Sequence, residues 1–469
     1  MAVTAEIGLI GLGTMGSALA LNIAENAAPI AVWNRTTATT HAFHAGAGPL
    51  APRITPCDTL SALVAAIRQP RAIILMVPEG LPVDDQLAAL SPHLGPDDLV
   101  IDAGNANFHD TNRRAKAGLP FHFLGMGVSG GAEGARNGPA IMGGGDKADW
   151  DRVAPILTAI AARYKGAPCA DWMGPEGAGH FVKTVHNGIE YADMQMIAEV
   201  YGMMRDGLVL PATTIAQTFA RWNTGVLQSY LIEISAGVAA ASDPLTGAAM
   251  LDVILDRAGQ KGTGRWTAIE AQHLSAPIPV IEAAVAARNV SARLDERRAG
   301  EAAYGPAPER LPSGLIAETD LEAALTAGKI LCYAQGFTMI AAAGPAFGWD
   351  LQLPAIARVW RAGCIIRSAM LDDMAQALTE DPGRNLVLAP DFTAQLKRTL
   401  PLLRRVVSAA ALHGHAMPAL SAGLAWFDAM RTARGTANMI QAQRDFFGAH
   451  GFDRLDGRDL HHGPWGTQG

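Results

Sequence analysis

A chain of 469 residues exceeds one ordinary hydrophobic core and implies two or three domains, each able to bury a sizeable interior. Hydrophobic residues make up 49% and charged residues 17%, which excludes global disorder. The formal net charge of −7 argues against a nucleic-acid partner, so an anionic ligand has to be held by a local group of cations.

The first elements read as alternating strands and helices. Glu6 to Ile10 is a short apolar strand, followed by Gly11-Leu12-Gly13-Thr14-Met15-Gly16 and then a good helix, SALALNIAEN. Between strand and helix these glycines have distinct roles: Gly11 allows the tight turn, Gly13 lets the backbone approach a pyrophosphate, and Gly16 lets helix and strand pack closely. The next strand, Pro29 to Trp33, ends in Asn34-Arg35-Thr36 with no acid to hold a ribose 2′-OH. Arg35 offers a planar cation suited to a 2′-phosphate, which points to NADP; the alternative is a solvated residue at a strand end. Further strands are expected at Ala72 to Val77, Leu99 to Asp102 and Phe121 to Met126, as in an open parallel sheet. Two loops at strand ends stand out, Asp102-Ala103-Gly104-Asn105 and Val128-Ser129-Gly130-Gly131. The second is able to present backbone N–H groups to a carboxylate, although each alone is an ordinary turn. Gly138 to Gly145 supplies another strand and turn, and CADWMGPEG closes this part of the chain.

From Gly177 to about Gly435 the periodicity is mainly helical, with no short repeat. In Gly177 to Met194, His180, Lys183, Asn187 and Glu190 fall at i, i+3, i+7 and i+10, with His186 beside them. That stripe fits either the wall of a polar pocket or a half-solvated helix with an ordinary ion pair. Gln260 to Thr267, QKGTGRWT, is a tight cationic turn without the order of a Walker A loop. The apolar stretch Ile330 to Trp349 contains Gln335, three glycines and Pro345, so it reads as a buried helix rather than a membrane span. Beyond Gly435 the Gly-, His- and Asp-rich end has too little apolar pattern for a core element and is expected to be an extended tail, either disordered or docked on something. Cys57, Cys169, Cys332 and Cys364 are far apart and form no CxxC pair, which suggests neither a zinc site nor a disulfide framework. With an N-terminus lacking the basic region of a signal peptide, the chain is expected in the reducing cytoplasm.

In order, GLGTMGSALALN, NRT, VSGGAEGARNGPAIMGGG, GAGHFVKTVHNGIEYADMQMI, QKGTGRWT, ARLDER and QAQRDFFGAH resemble decarboxylating 6-phosphogluconate dehydrogenases over essentially the whole chain. The resemblance implies an α/β Rossmann-type coenzyme domain (1–176), a large all-α substrate and dimerisation domain (177–435), and a C-terminal tail (436–469) reaching into the partner of a homodimer. It implies that NADP binds at Gly11, Leu12, Gly13, Thr14, Met15, Gly16, Asn34, Arg35, Thr36, Val77, Pro78, Glu79 and Asn105. 6-Phosphogluconate is expected at Asn105, Ser129, Gly130, Gly131, His186, Asn187, Tyr191, Lys261, Thr263 and Arg288, joined by Arg444 and His450 from the other subunit. Lys183 is expected as the general base and Glu190 as the acid. The family commonly has Lys where this chain has Pro78, and Ser where it has Ala106. No metal is expected, because a 3-keto intermediate is its own electron sink and no carboxylate–histidine cluster is evident. The other readings are a smaller β-hydroxy acid dehydrogenase of the 3-hydroxyisobutyrate type and a non-catalytic NADP-binding protein.

Overall fold

The computed structural model describes residues 5–459 and 461–465. Ten short strands form in its first part: β1 (Ile7–Ile10), β2 (Ile30–Trp33), β3 (Ile54–Pro56), β4 (Ala72–Leu75), β5 (Leu99–Asp102), β6 (His122–Ser129), β7 (Ala140–Gly144), β8 (Arg163–Tyr164), β9 (Ala167–Pro168) and β10 (Ala170–Gly174). The two-residue β8 and β9 pair only with each other, and the rest make one sheet in the order β10-β7-β6-β5-β4-β1-β2-β3. Alternation along each strand splits the apolar residues between two faces: Ile7, Leu9 and Ile74 pack in one core, Ile10, Ile73 and Leu75 in the other. Helices cover both faces, as a parallel sheet requires.

The sheet corrects the all-parallel expectation at one place. β7 runs antiparallel to β6, pairing Met126 with Gly143 and Ser129 with Ala140. A parallel return needs a crossover of a dozen or more residues, and the link 130–139 is too short for one. β3 was not evident in the sequence pattern, its short run Ile-Thr-Pro carrying too few apolar residues to stand out. Strand order reverses between β1 and β4, leaving a crevice at their carboxyl ends, where ligands of such sheets bind.

After β10 the chain is helical. The helix Ala178–Gly202 lies between the sheet and the remaining helices, and nearly all of its residues from Ala178 to Ala192 are buried. Its N-terminal half sits directly on the sheet, because Gly125, Gly127 and Gly144 leave room that any Cβ would fill. The half-solvated alternative for this helix is therefore excluded. Its outer side meets the long helix Glu318–Phe347, where Gly336 accepts Ile189 and Val185. That long helix, apolar enough by length to cross a membrane, is instead packed in the centre of the helical body. Lys329 within it donates to Asp193 Oδ2 at 2.6 Å, a buried ion pair joining the two helices.

The C-terminal segment is more ordered than an extended tail. Ala437–Gly448 is a helix, and the following residues fold back on Asp445. Its carboxylate accepts from Gly451 N at 2.8 Å, His462 Nδ1 at 2.7 Å, Gly463 N at 2.9 Å and Trp465 Nε1 at 2.6 Å. These donors hold the Asp445 carboxyl well below the usual carboxylate range.

Candidate active site

A cavity of about 340 Å³ opens at the carboxyl ends of β1, β2 and β4, lined among others by Gly11, Gly13, Asn34, Arg35, Val77 and Pro78. Gly11 has φ +99°, and Gly16 faces the Gly11 carbonyl so closely that a Cβ has no room. A Cβ on Gly13 would meet nothing within 4 Å, so the backbone there is open to an incoming group. The helix Thr14–Asn26 begins at Gly13 without a side-chain cap or an acid in its first turn. Its unpaired N–H groups therefore face a ready anion position. Leu12 N donates to Asn34 Oδ1 at 3.0 Å, fixing the glycine loop to the β2 turn, while Arg35 is exposed and has no ion-pair partner among the described residues. These features fit a dinucleotide phosphate backbone with an additional phosphate near Arg35. Thr14, Thr36, Pro78 and Glu79 are exposed, and Met15 and Val77 are half-buried around the same crevice.

The site helix places its polar residues against the end of β6. Lys183 Cβ rests against Gly127, and Lys183 Nζ donates to Asn187 Oδ1 at 2.5 Å. Burial pushes the Lys183 ammonium below its ordinary pKa, partly opposed by the charge of Glu190. His186 Nδ1 lies 3.1 Å from Asn187 Oδ1 and Nε2 lies 3.2 Å from Ser129 Oγ. Burial, reinforced by Lys183, pushes His186 well below its ordinary value, so the ring is neutral. The neutral tautomer that satisfies both contacts donates from Nδ1 to Asn187 and accepts at Nε2 from Ser129. Gly130 and Gly131, φ +118° and +63°, follow Ser129, and a Cβ on Gly131 would meet only open space.

Two turns further along, burial raises the Glu190 carboxyl despite the nearby cations Lys183 and Arg288. Arg288 lies over the Tyr191 ring, 3.5 Å from its centroid, and burial lowers its pKa. Gly264 lets the turn Lys261-Gly262-Thr263 approach Tyr191, with Gly262 at φ +92° opening the helix Thr263–His273. Thr263 is buried, Lys261 exposed. Asn105 is exposed in the loop after β5. His180 does not join the stripe: its ring faces β6 at Gly125, and Nδ1 lies 2.8 Å from Thr111 Oγ1. Arg444 and His450 are exposed in the C-terminal segment, Arg444 donating to Gln441 Oε1 at 3.1 Å. Among the described residues no hydrogen bond or ion pair joins either of them to this group in their own chain.

Sequence models of known families match nearly the whole chain. The NAD binding domain of 6-phosphogluconate dehydrogenase matches residues 6–174, and the 6-phosphogluconate dehydrogenase C-terminal domain matches residues 179–465. The chain belongs to the 6-phosphogluconate dehydrogenase family. A decarboxylating 6-phosphogluconate dehydrogenase of Treponema pallidum is 45% identical, over 99% of this chain and 98% of that protein. The NADP(+)-dependent decarboxylating enzyme of Bacillus subtilis is 44% identical, over 98% and 99%. A solved structure of the Plasmodium falciparum 6-phosphogluconate dehydrogenase superposes with a TM-score of 0.94 at 38% identity, covering 98% of this chain and 100% of that one. It is described in its apo form, with its cofactor NADP+ and with its substrate 6-phosphogluconate. Because the C-terminal family domain runs through residue 465, 6-phosphogluconate dehydrogenase membership decides against the 3-hydroxyisobutyrate dehydrogenase reading.

Several residues that shape the site were not legible in the sequence. Arg114 is almost fully buried and donates to Asp84 Oδ1 at 2.9 Å, Asp102 Oδ2 at 3.4 Å and Gly80 O at 2.9 Å, tying together the loops after β4 and β5. Gly363 backs Gly130, and burial pushes the adjacent Cys364 thiol, which donates to Trp360 O at 3.1 Å, up to about 12. The expectation of no carboxylate–histidine cluster also needs correction. The fold brings His109, Glu270 and His273 together from two distant segments, with their ligand atoms within 4.8 Å of one another.

Proposed function

We propose that this chain catalyses oxidative decarboxylation of 6-phosphogluconate to ribulose 5-phosphate and CO2, with reduction of NADP to NADPH. The observation that carries the reading is the buried, pKa-depressed Lys183 beside Asn187, His186 and Ser129. A Lys of this kind is the right base for a secondary hydroxyl, because burial moves it from about 10.4 toward the neutral form it needs. NADP, when bound along Gly11–Gly16 and Arg35, supplies the hydride acceptor.

Lys183 takes the proton of the C3 hydroxyl as that carbon is oxidised, then returns a proton to the carbonyl oxygen as CO2 leaves. Ser129 and the N–H groups of Gly130 and Gly131 hold the carboxylate. Glu190, about 10 Å along the helix axis from Lys183 and with its carboxyl pKa raised by burial, delivers the proton to carbon after decarboxylation. Lys261, Thr263 and Arg288 bind the phosphate end.

The three parts of the chain divide this work: residues 1–176 bind coenzyme, 177–435 bind substrate and dimerise, and 436–469 reach the partner subunit. Arg444 and His450, joined to the Lys183 group of their own chain by no hydrogen bond or ion pair among the described residues, complete the phosphate site of the other subunit of a homodimer. The four free buried thiols suit a reducing cytoplasm.

Mixing the protein with NADP and 6-phosphogluconate tests the reading directly: NADPH absorbance should appear together with CO2. Lys183→Met should abolish NADPH formation while 6-phosphogluconate still binds. A near-normal rate in that variant would remove Lys183 as the base.

A further inference from the structure

The triad His109, Glu270 and His273 has no task in the reaction. His109 lies on the helix Phe108–Ala115, between β5 and β6 of the coenzyme-binding part. Glu270 and His273 lie one turn apart on the helix Thr263–His273 of the helical part. The Glu270 side chain is 5% exposed, whereas the imidazoles of His109 and His273 are 53% and 65% exposed. A single carboxylate oxygen, Glu270 Oε2, faces both rings, 2.8 Å from His109 Nε2 and 3.3 Å from His273 Nδ1.

Ligand atoms around a tetrahedral Zn2+ bound at about 2.0–2.2 Å lie roughly 3.3–3.6 Å apart. Two imidazole nitrogens and one carboxylate oxygen, all within 4.8 Å of one another, need only small side-chain shifts to reach that spacing. The donor set is borderline rather than hard, which favours Zn2+, Ni2+ or Co2+ over Mg2+ or Ca2+. The exposed rings leave the remaining coordination position to water. Glu270 is already anchored by burial, so one ligand is fixed in advance.

We propose that His109, Glu270 and His273 bind one divalent transition-metal ion of the Zn2+ class, which staples the coenzyme-binding part to the helical part. The two helices it joins each adjoin a segment expected to bind substrate. One follows the Asn105 loop, and the other starts from the Lys261-Gly262-Thr263 turn.

The test titrates Zn2+ into the full-length protein by calorimetry, without coenzyme or substrate, and repeats it with Co2+ to read its visible bands. One ion per chain with a tetrahedral Co2+ spectrum is expected. His109→Gln and His273→Gln, one substitution on each side of the seam, should each weaken Zn2+ by at least about tenfold and erase the spectrum. Both positions are exposed, so metal-free NADPH formation should stay within about twofold of the unsubstituted protein and report an intact fold. The competing histidine pair is His461 and His462, and His462→Gln should keep the tight ion. Absence of stoichiometric binding, binding unchanged in either triad variant, or loss only in His462→Gln would each overturn the proposal.

Discussion

Gly127→Ala tests whether the position of Lys183 on the sheet sets the rate. A Cβ at residue 127 would stand 2.5 Å from Lys183 Cβ and 3.0 Å from its Cγ, with the Gly179 carbonyl at 3.1 Å. Gly127 lies in β6, and its backbone is not in the left-handed region, so the alanine itself introduces no backbone strain. All the conflict falls on the site helix. Restoring ordinary contact requires Lys183 to retreat by about 1 Å, and a displacement of that size at a reacting group costs about 100-fold in rate, or about 2.7 kcal/mol of barrier. The assay is kcat for NADPH formation, with the KM for NADP as internal control, since the Arg35 crevice is untouched. A kcat within about threefold of the starting enzyme, in a variant with unchanged thermal midpoint, would refute the argument that this contact positions the base.

Arg35→Asp should weaken NADP far more than NAD, because a charge-assisted phosphate contact becomes a repulsion; equal losses for both coenzymes would disprove the assignment. Glu199 is buried and accepts from Ala419 N at 2.8 Å and Leu420 N at 3.0 Å, yet burial still raises its pKa from 4.5 to about 7. The native state thus favours its protonated form. That stability is fully present below about 4.5 and is lost as pH rises through about 7, at most roughly 3 kcal/mol in all. Denaturant unfolding at about pH 4.5 and pH 8 should show this loss in the unsubstituted protein and not in Glu199→Gln; parallel pH profiles would contradict it. Dissociating and reassociating two inactive variants, Lys183→Met and Arg444→Ala, should restore roughly a quarter of full activity, because each mixed dimer collects both defects at one site and leaves the other intact. Verified exchange without recovery would show that Arg444 does not act across the dimer.

The parts legible in the sequence are those whose meaning is local. Gly11, Gly13 and Gly16 have turn, approach and packing roles that follow from their spacing; in the structure Gly11 takes φ +99°, Gly16 packs on the Gly11 carbonyl and Gly13 borders open space. The helical period put Lys183, Asn187 and Glu190 on one side but also put His180 there. Period gives a face, not the neighbour a side chain finds, and the neighbour of His180 is Thr111. Arg114 reads as an ordinary surface cation in a polar helix; only the fold shows that it is buried between Asp84 and Asp102. The direction of β7 depends on the length of a link rather than on any residue. His109 and Glu270 are 161 positions apart, a separation at which no spacing argument operates.

The knot of donors around Asp445 changes what joining two copies would entail. A tail that had to fold on its partner would lose chain entropy at the moment of contact, and association would show the large heat-capacity change of coupled folding. Here the C-terminal helix and the residues returning to Asp445 are shaped beforehand, so the proposed dimer assembles as preformed surfaces meeting. In the proposed dimer Asp445 thereby lowers the ordering cost of association, and its loss should be felt first as a weaker dimer.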